Sequence, residues 1–251
     1  MKMIFLILYS FISIVSDARQ NQYPSTDTVK GIRIVFHPKS FSNSFSLNID
    51  PVMTIRQGDT IETETIDAGG YDQQGVKRQR GGNPLTGPFY VDQAKAGDIL
   101  AISLLKVSLN RDYAFTTEGF VDRSMPDSIT KQFGKRPSLV RWTLDRRAGL
   151  AWPDTARKSY THLRGFKIPL HPFLGCVGLA PATGKNEILS YFQGSFGGNL
   201  DFHLLGRGAT LYLPVFHDGA YLYFGDGHAI QGSWRNCRKC IGNFDGYCFH
   251  R

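Results

Sequence analysis

The chain is expected to be mainly β, a sandwich- or barrel-like fold with few short helices. Three observations predict this. Its 251 residues include 27 Gly and 12 Pro, which suits many turns. Its apolar residues fall in short runs rich in β-branched side chains, and those runs are punctuated by Gly, Asp and Asn.

"GIRIVFH" (31–37) reads as the first strand. "VMTIRQGDTIETETIDAGG" (52–70) reads as two strands about a Gln57-Gly58-Asp59 turn, since its second half alternates Ile and Thr with acidic residues before breaking at glycines. "GDILAISLLKVSLN" (97–110) reads as a longer strand with one buried face, and "SLVRWTLDRRAGLAW" (138–152) as a strand followed by a loop. "RSMPDSITKQFG" (123–134) suits a short helix capped by Asp127 and stopped by Gly134. In "ATLYLPVFHDGAYLYFGDGHAIQG" (209–232) two apolar strands flank His217-Asp218-Gly219, and Asp-Gly is a preferred dipeptide of tight hairpins. No internal period suggests a solenoid or propeller.

The first residues set a basic Lys2 before an apolar run from Met3 to Val15 and small residues at Ser16 and Ala18. This is the layout of a signal peptide over 1–18, cleaved after Ala18, and the run is shorter than the roughly 20 residues of a membrane span. The expected organisation is therefore a signal peptide, one domain over 19–232, and a tail over 233–251 discussed below. The mature protein is expected to be exported, periplasmic or extracellular, with no membrane association once cleaved. The formal charge is +8, but the basic residues are scattered. The single cluster, "KRQRGG" at 77–82, sits among glycines without interleaved aromatics, so no nucleic-acid partner is expected.

Several loops collect chemistry-bearing groups. Asp67 precedes Gly69 and Gly70, and Asn83 opens the stiff segment "GGNPLTGPFYV". Gly197 and Gly198 run directly into Asn199 and Asp201. Asp226 and His228 stand two apart, which places both on one face of an extended strand. Taken singly, each such Asx residue is an ordinary turn former. Taken together, Asp67, Asp201, Asp226 and His228 have the composition of a site for a divalent metal such as zinc.

"NPLTGPFYVDQAKAGDIL", "PLHPFLGCVGLAP", "GGNLD" and "LYLPVFHDGAYLYFGDGHAIQG" resemble, in this order, the successive motifs of the acetamidase/formamidase family, and "PVMTIRQGDTIETETIDA" is similar to its opening strand pair. The likeness spans residues 31–232. It implies a mainly β enzyme that hydrolyses short linear amides to a carboxylate and ammonia. On the same likeness Asp67, Asn83, Asn199, Asp201, Asp226 and His228 fall in shared motifs. An amide hydrolase without an evident Ser or Cys nucleophile is expected to activate water. The expected metal ligands are drawn from Asp67, Asp201, Asp226 and His228, and Asp201, His228, Asn83 and Asn199 are the expected catalytic set, with Asn83, Asn199 or nearby glycine amides holding the substrate carbonyl and developing oxyanion. A small amide is the expected partner, and a homo-oligomer stays open. The rival expectation is a secreted β-sandwich binding module, with Phe196 and Tyr223 as aromatic platforms for a sugar or small amide.

The tail departs from the family. Members continue past "HAIQG" with an acidic "DGE", whereas this chain gives "SWRNCRKCIGNFDGYCFHR". Read one base out of frame from Trp234, its codons can spell "GEIAGNALETSMDIVFT", so a single-base slip near Ser233 is the expected origin of residues 233–251. The Cys237-x2-Cys240-x7-Cys248-x-His250 spacing, a zinc or redox candidate on its own, is then a by-product of the wrong frame. The slip would remove a Glu suited to proton transfer and the family's later strands, so an incomplete site and an inactive or poorly folded amidase fragment are the accompanying expectation. Cys176, inside "FLGCVGLAP", reads as a small buried hydrophobe rather than a nucleophile.

Overall fold

Alternation of apolar and polar residues favours half-buried strands, and the frequent glycines keep them short. The computed structural model describes residues 31–117, 128, 131, 139–156, 158–182, 187–231 and 241–242. Among them the strands are β1 (Arg33–Phe36), β2 (Ser44–Ser46), β3 (Met53–Ile55), β4 (Thr60–Thr63), β5 (Leu85–Val91), β6 (Ile99–Ser103), β7 (Tyr113–Thr117), β8 (Leu139–Asp145), β9 (Leu150–Pro153), β10 (Ile168–Pro169), β11 (Phe173–Gly178), β12 (Glu187–Leu189), β13 (Gln193–Gly194), β14 (Gly197–Asn199), β15 (Thr210–Pro214), β16 (Leu222–Ile230) and β17 (Ile241–Gly242). A short 3₁₀ helix spans Lys158–Leu163. Regular structure among the described residues is thus nearly all strand, as the composition predicts.

One large sheet organises the molecule, in the order β10-β9-β8-β7-β17-β16-β11-β14-β13, with β5 also pairing β16 and β3 pairing β5. Smaller two-stranded sheets are β1-β4, β12-β2 and β15-β6. The two strands expected over 52–70 form, but they do not pair with each other: β3 runs parallel to β5 and β4 parallel to β1. On β8 the inward residues Val140, Trp142 and Leu144 alternate with exposed ones, the period-two pattern of a sheet with one covered face. The loop expected after it is instead a hairpin into β9, because Asp145 caps the turn by accepting from Arg147 N and Ala148 N while its carbonyl takes Gly149 N.

The segment 209–232 also departs from expectation. β15 and β16 form on either side of His217-Asp218-Gly219, yet they are not hairpin partners, since β15 pairs β6 while β16 pairs β11, β5 and β17. The cause is local. Gly219, Ala220 and Tyr221 all adopt positive φ (82°, 57° and 55°), which turns the chain away from its own strand. Asp218 meanwhile accepts hydrogen bonds from Lys95 Nζ and Ala96 N, fastening the turn to a different loop. The longer strand expected over 97–110 shrinks to β6, where Leu100 and Ile102 pack on the core.

Two-residue β17 lies beyond Ser233 and bridges β16 to β7 through the pairs His228↔Gly242 and Gly242↔Phe115. The segment of the expected helix, 123–134, is outside the described residues apart from 128 and 131, and so are the signal peptide and Cys237, Cys240, Cys248 and His250. Among the described residues no helix is long and apolar enough to cross a membrane.

Candidate active site

Three neighbouring strands toward one end of the sheet, β16, β11 and β14, present the site. Cys176 on β11 faces Gly225 on one side and Asn199 on the other, and Phe173 faces His228. Between the pairs Leu174↔Gly227 and Cys176↔Gly225, Gly175 comes opposite Asp226. Asp226 has φ 55°, so the strand is irregular where its carboxylate leaves it, and Asp226 and His228 converge despite a backbone that is not extended between them. Asn83 (φ 53°) and Asp201 (φ 43°) are left-handed as well. Three site residues therefore sit in a conformation that non-glycine residues rarely adopt, a pattern that clusters at functional sites.

Asp201, Asp226 and His228 each offer one ligand atom, and these atoms all lie within 4.8 Å of one another. His228 Nε2 is 3.4 Å from Asp226 Oδ2 and 3.5 Å from Asp201 Oδ1. His228 and Asp226 are buried, while the Asp201 side chain keeps 19% of its exposure, so the cluster opens to solvent on the Asp201 side. The His228 ring stacks on Phe173 with centroids 4.5 Å apart, which fixes its plane. Burial works against charge on His228, but the Asp226 and Asp201 carboxylates outweigh it and hold its pKa above the ordinary imidazole value.

Amide groups orient the carboxylates. Asn83 Nδ2 donates to Asp226 Oδ2 at 3.2 Å. With its amide nitrogen turned to the acceptors, Asn199 donates to Asp201 Oδ1 at 3.0 Å and Asp226 Oδ2 at 3.2 Å. The two asparagines thus contact the carboxylates of the cluster. Asp67 is brought elsewhere. It lies outside the group of three, with Oδ2 accepting from Arg111 Nη2 at 2.8 Å and Oδ1 accepting from Tyr71 N, and both members of the ion pair are buried.

The three converging residues fit a divalent cation. A β-carbon placed on Gly175 would stand 2.6 Å from Asp226 Oδ2, 2.6 Å from His228 Nε2 and 3.0 Å from Asp201 Oδ1. Three candidate ligand atoms therefore face one small space that exists because residue 175 has no side chain. Asp226 Oδ1 is buried and has no hydrogen-bond partner among the described residues, a costly state for a carboxylate oxygen unless something binds there. Two carboxylates and one imidazole are also a donor set that suits zinc and similar ions.

Two contributors escape a sequence reading. Gly175 is visible only as one glycine of "FLGCVGLAP". Cys176 is buried as expected, but its thiol lies in the site, 3.8 Å from Asp226 Oδ2 and 3.3 Å from the Asn199 side chain, and it donates to the Ser190 carbonyl. Burial, with Asp226 and Asp201 nearby, pushes its pKa well up and keeps it a thiol. Phe196 and Tyr223, the aromatic platforms of the rival expectation, are buried in a core cluster with Phe45 and Leu85, which removes them as a binding surface.

Known proteins resemble this chain in sequence and fold. The profile of the Acetamidase/Formamidase family matches residues 33–190 and 193–235. Among solved structures, the chain is similar to a recombinant predicted acetamidase/formamidase from the thermophile Thermoanaerobacter tengcongensis, at 25% identity and TM-score 0.64 over 84% of this chain and 67% of that one. It is also similar to an acetamidase from Bacillus halodurans, at 25% identity and TM-score 0.61 over 83% and 68%. A gamma lactamase from Delftia acidovorans, 16% identical over 84% and 66% with a TM-score of 0.63, shares the fold. The chain spans about two thirds of the length of these structures. No curated protein matches it. Fold and family profile together define a β-rich protein of the amide hydrolase class. This chain belongs to the acetamidase/formamidase family.

Proposed function

We propose that the protein hydrolyses short linear amides of the formamide and acetamide type to a carboxylate and ammonia. The observation that carries this reading is the convergence of Asp201, Asp226 and His228 on the space left by Gly175. Family membership and the acetamidase structures support the same chemistry.

Asp201, Asp226 and His228 would hold a divalent ion such as zinc. When bound, such an ion lowers the pKa of water and polarises the amide carbonyl. The chain's own groups supply the rest. Asp201, the partly exposed member, takes the proton of the attacking water as its oxygen bonds to the amide carbon, and returns it to the departing nitrogen as the C–N bond breaks. One water and one amide thus become a carboxylic acid and ammonia. Asn83 and Asn199 keep the carboxylates in place, and the Phe173 stack keeps His228 in place. Cys176, held as a buried thiol, takes no covalent part.

Ammonia release from formamide and acetamide tests the activity, and dialysis against a chelator tests the metal. Activity that survives thorough chelation would contradict a metal role. The reading extends to export, for which the mature N-terminus should be Arg19, and to residues 233–251 as an out-of-frame tail. Sequencing the coding DNA across Gly225 to Tyr247 decides the latter.

A further inference from the structure

A buried ion pair that the mechanism does not use lies at the base of the loop carrying Asn83. Arg111, one residue pair before β7, is buried and donates Nη2 to Asp67 Oδ2 at 2.8 Å and Nη1 to the Asp72 carbonyl at 3.4 Å. Its guanidinium also lies over the Tyr113 ring, 4.8 Å from the centroid. Asp67 closes its own turn by accepting from Tyr71 N with Oδ1, while Asp67 and Tyr71 exchange a further backbone bond and Gly70 N donates to the Asp67 carbonyl. The next residue, Ala68, accepts from both Gly82 N and Asn83 N at 2.9 and 3.3 Å. Asn83 in turn reaches Asp226 at 3.2 Å. The linkage from Arg111 to the site is therefore short: guanidinium, Asp67-Ala68 backbone, Asn83, Asp226.

We infer that Arg111 and Asp67 are positioning residues that fix the Asn83 amide on Asp226, and thereby the carboxylate geometry at which the proposed metal and amide act. A buried ion pair adds little to stability compared with apolar packing, but it holds one arrangement firmly because either partner alone is costly to leave unpaired. Here the guanidinium satisfies two segments of the loop at once, Asp67 and Asp72, which a lysine ammonium lacks the planar fork to reproduce. Groups that orient metal-binding side chains typically change metal affinity by about 10- to 100-fold when removed.

The part of this inference that concerns metal and substrate rests on the proposed function, so the test is read in two ways. The Asn83 side-chain amide resonances of ¹⁵N-labelled protein report the Asn83–Asp226 contact without any metal. Cobalt(II) titration, followed by visible absorption, reports the affinity of the cluster. Arg111→Lys should shift the Asn83 amide resonances and weaken cobalt binding about tenfold, whereas Arg146→Lys, in an exposed ion pair with Asp112, should do neither. In an Asn83→Ala background, Arg111→Lys should cause no further loss of cobalt affinity, because its effect passes through Asn83. The double replacement Asp67→Leu, Arg111→Met removes both charges and should give the same shift of the Asn83 resonances without leaving an unpaired ion. Unchanged Asn83 resonances in folded Arg111→Lys would overturn the inference, as would cobalt losses that multiply in the double variant. Shifted resonances in a protein that binds no cobalt would sustain the positioning role and refute the metal reading instead.

Discussion

Two buried charged clusters stand out among the described residues, and they are built on opposite plans. At Asp67 and Arg111 one carboxylate meets one guanidinium at 2.8 Å, so the charges cancel within the chain. At Asp201, Asp226 and His228 two carboxylates meet one imidazole at 3.4 and 3.5 Å, and one buried oxygen, Asp226 Oδ1, lacks a hydrogen-bond donor among the described residues. The first arrangement is closed and holds a loop. The second is short of positive charge and opens on the Asp201 side, which is the condition for receiving a cation and a polar substrate.

This contrast sorts substitutions by what they should change. The largest effect is expected at the open cluster: Asp226→Asn should cut amide hydrolysis by more than roughly 100-fold, beyond the upper range for residues that only orient a ligand. Its thermal midpoint should hold or rise, because an uncompensated buried charge is removed. Gly175→Ala should mimic that loss with every ligand retained, since its methyl would occupy the space within 2.6 Å of Asp226 Oδ2 and His228 Nε2. Ammonia-release assays beside thermal melts check both. The closed cluster should behave in reverse. Arg111→Met leaves Asp67 buried without its cation and should cost about 3–5 kcal/mol in denaturant-induced unfolding.

Smaller effects refine the comparison. Cys176 shares the open cluster but stays protonated, so iodoacetamide at pH 8 should leave it unmodified in native protein, as mass spectrometry of the peptide containing "FLGCVGLAP" would show. The smallest effect is expected at an exposed, balanced pair. The hydrogen bond from Lys95, and then the Ala96 N–H, hold Asp218 below the ordinary aspartate value of 3.8. A depressed folded-state pKa contributes stability that is present above the unfolded value and lost as pH falls through the folded one. Asp218→Asn should therefore lower the melting temperature slightly at pH 7 and leave it unchanged near pH 2.

How much of this was legible in the sequence follows from the range of each interaction. Asp226 and His228 are two residues apart on one apolar strand, so the pair is visible in the sequence, although its convergence comes from the left-handed backbone at Asp226 and not from an extended strand, and Asp201 follows a Gly-Gly-Asn segment that marks a backbone under constraint. The strands themselves were visible in local alternation. Their partners were not: β15 and β16 look like a hairpin until three consecutive positive φ values turn the chain away. Arg111 carries no local signal because its partner Asp67 is 44 residues distant. Asp67 was therefore read as a metal ligand, when its carboxylate is taken by that cation. Gly175 matters through the absence of a side chain, and only the opposing Asp226 reveals it. Tyr223 and Phe196 illustrate the converse error, since aromatic residues near polar loops were read as a binding platform and prove to be core.

The central claim is that the open cluster is a divalent-metal site. The most direct test is metal analysis of native protein equilibrated with zinc and then dialysed against metal-free buffer, with Asp226→Asn treated identically. One zinc per chain in the native protein and none in the variant is the predicted result. No bound zinc in the native protein, or equal zinc in both, would contradict the account.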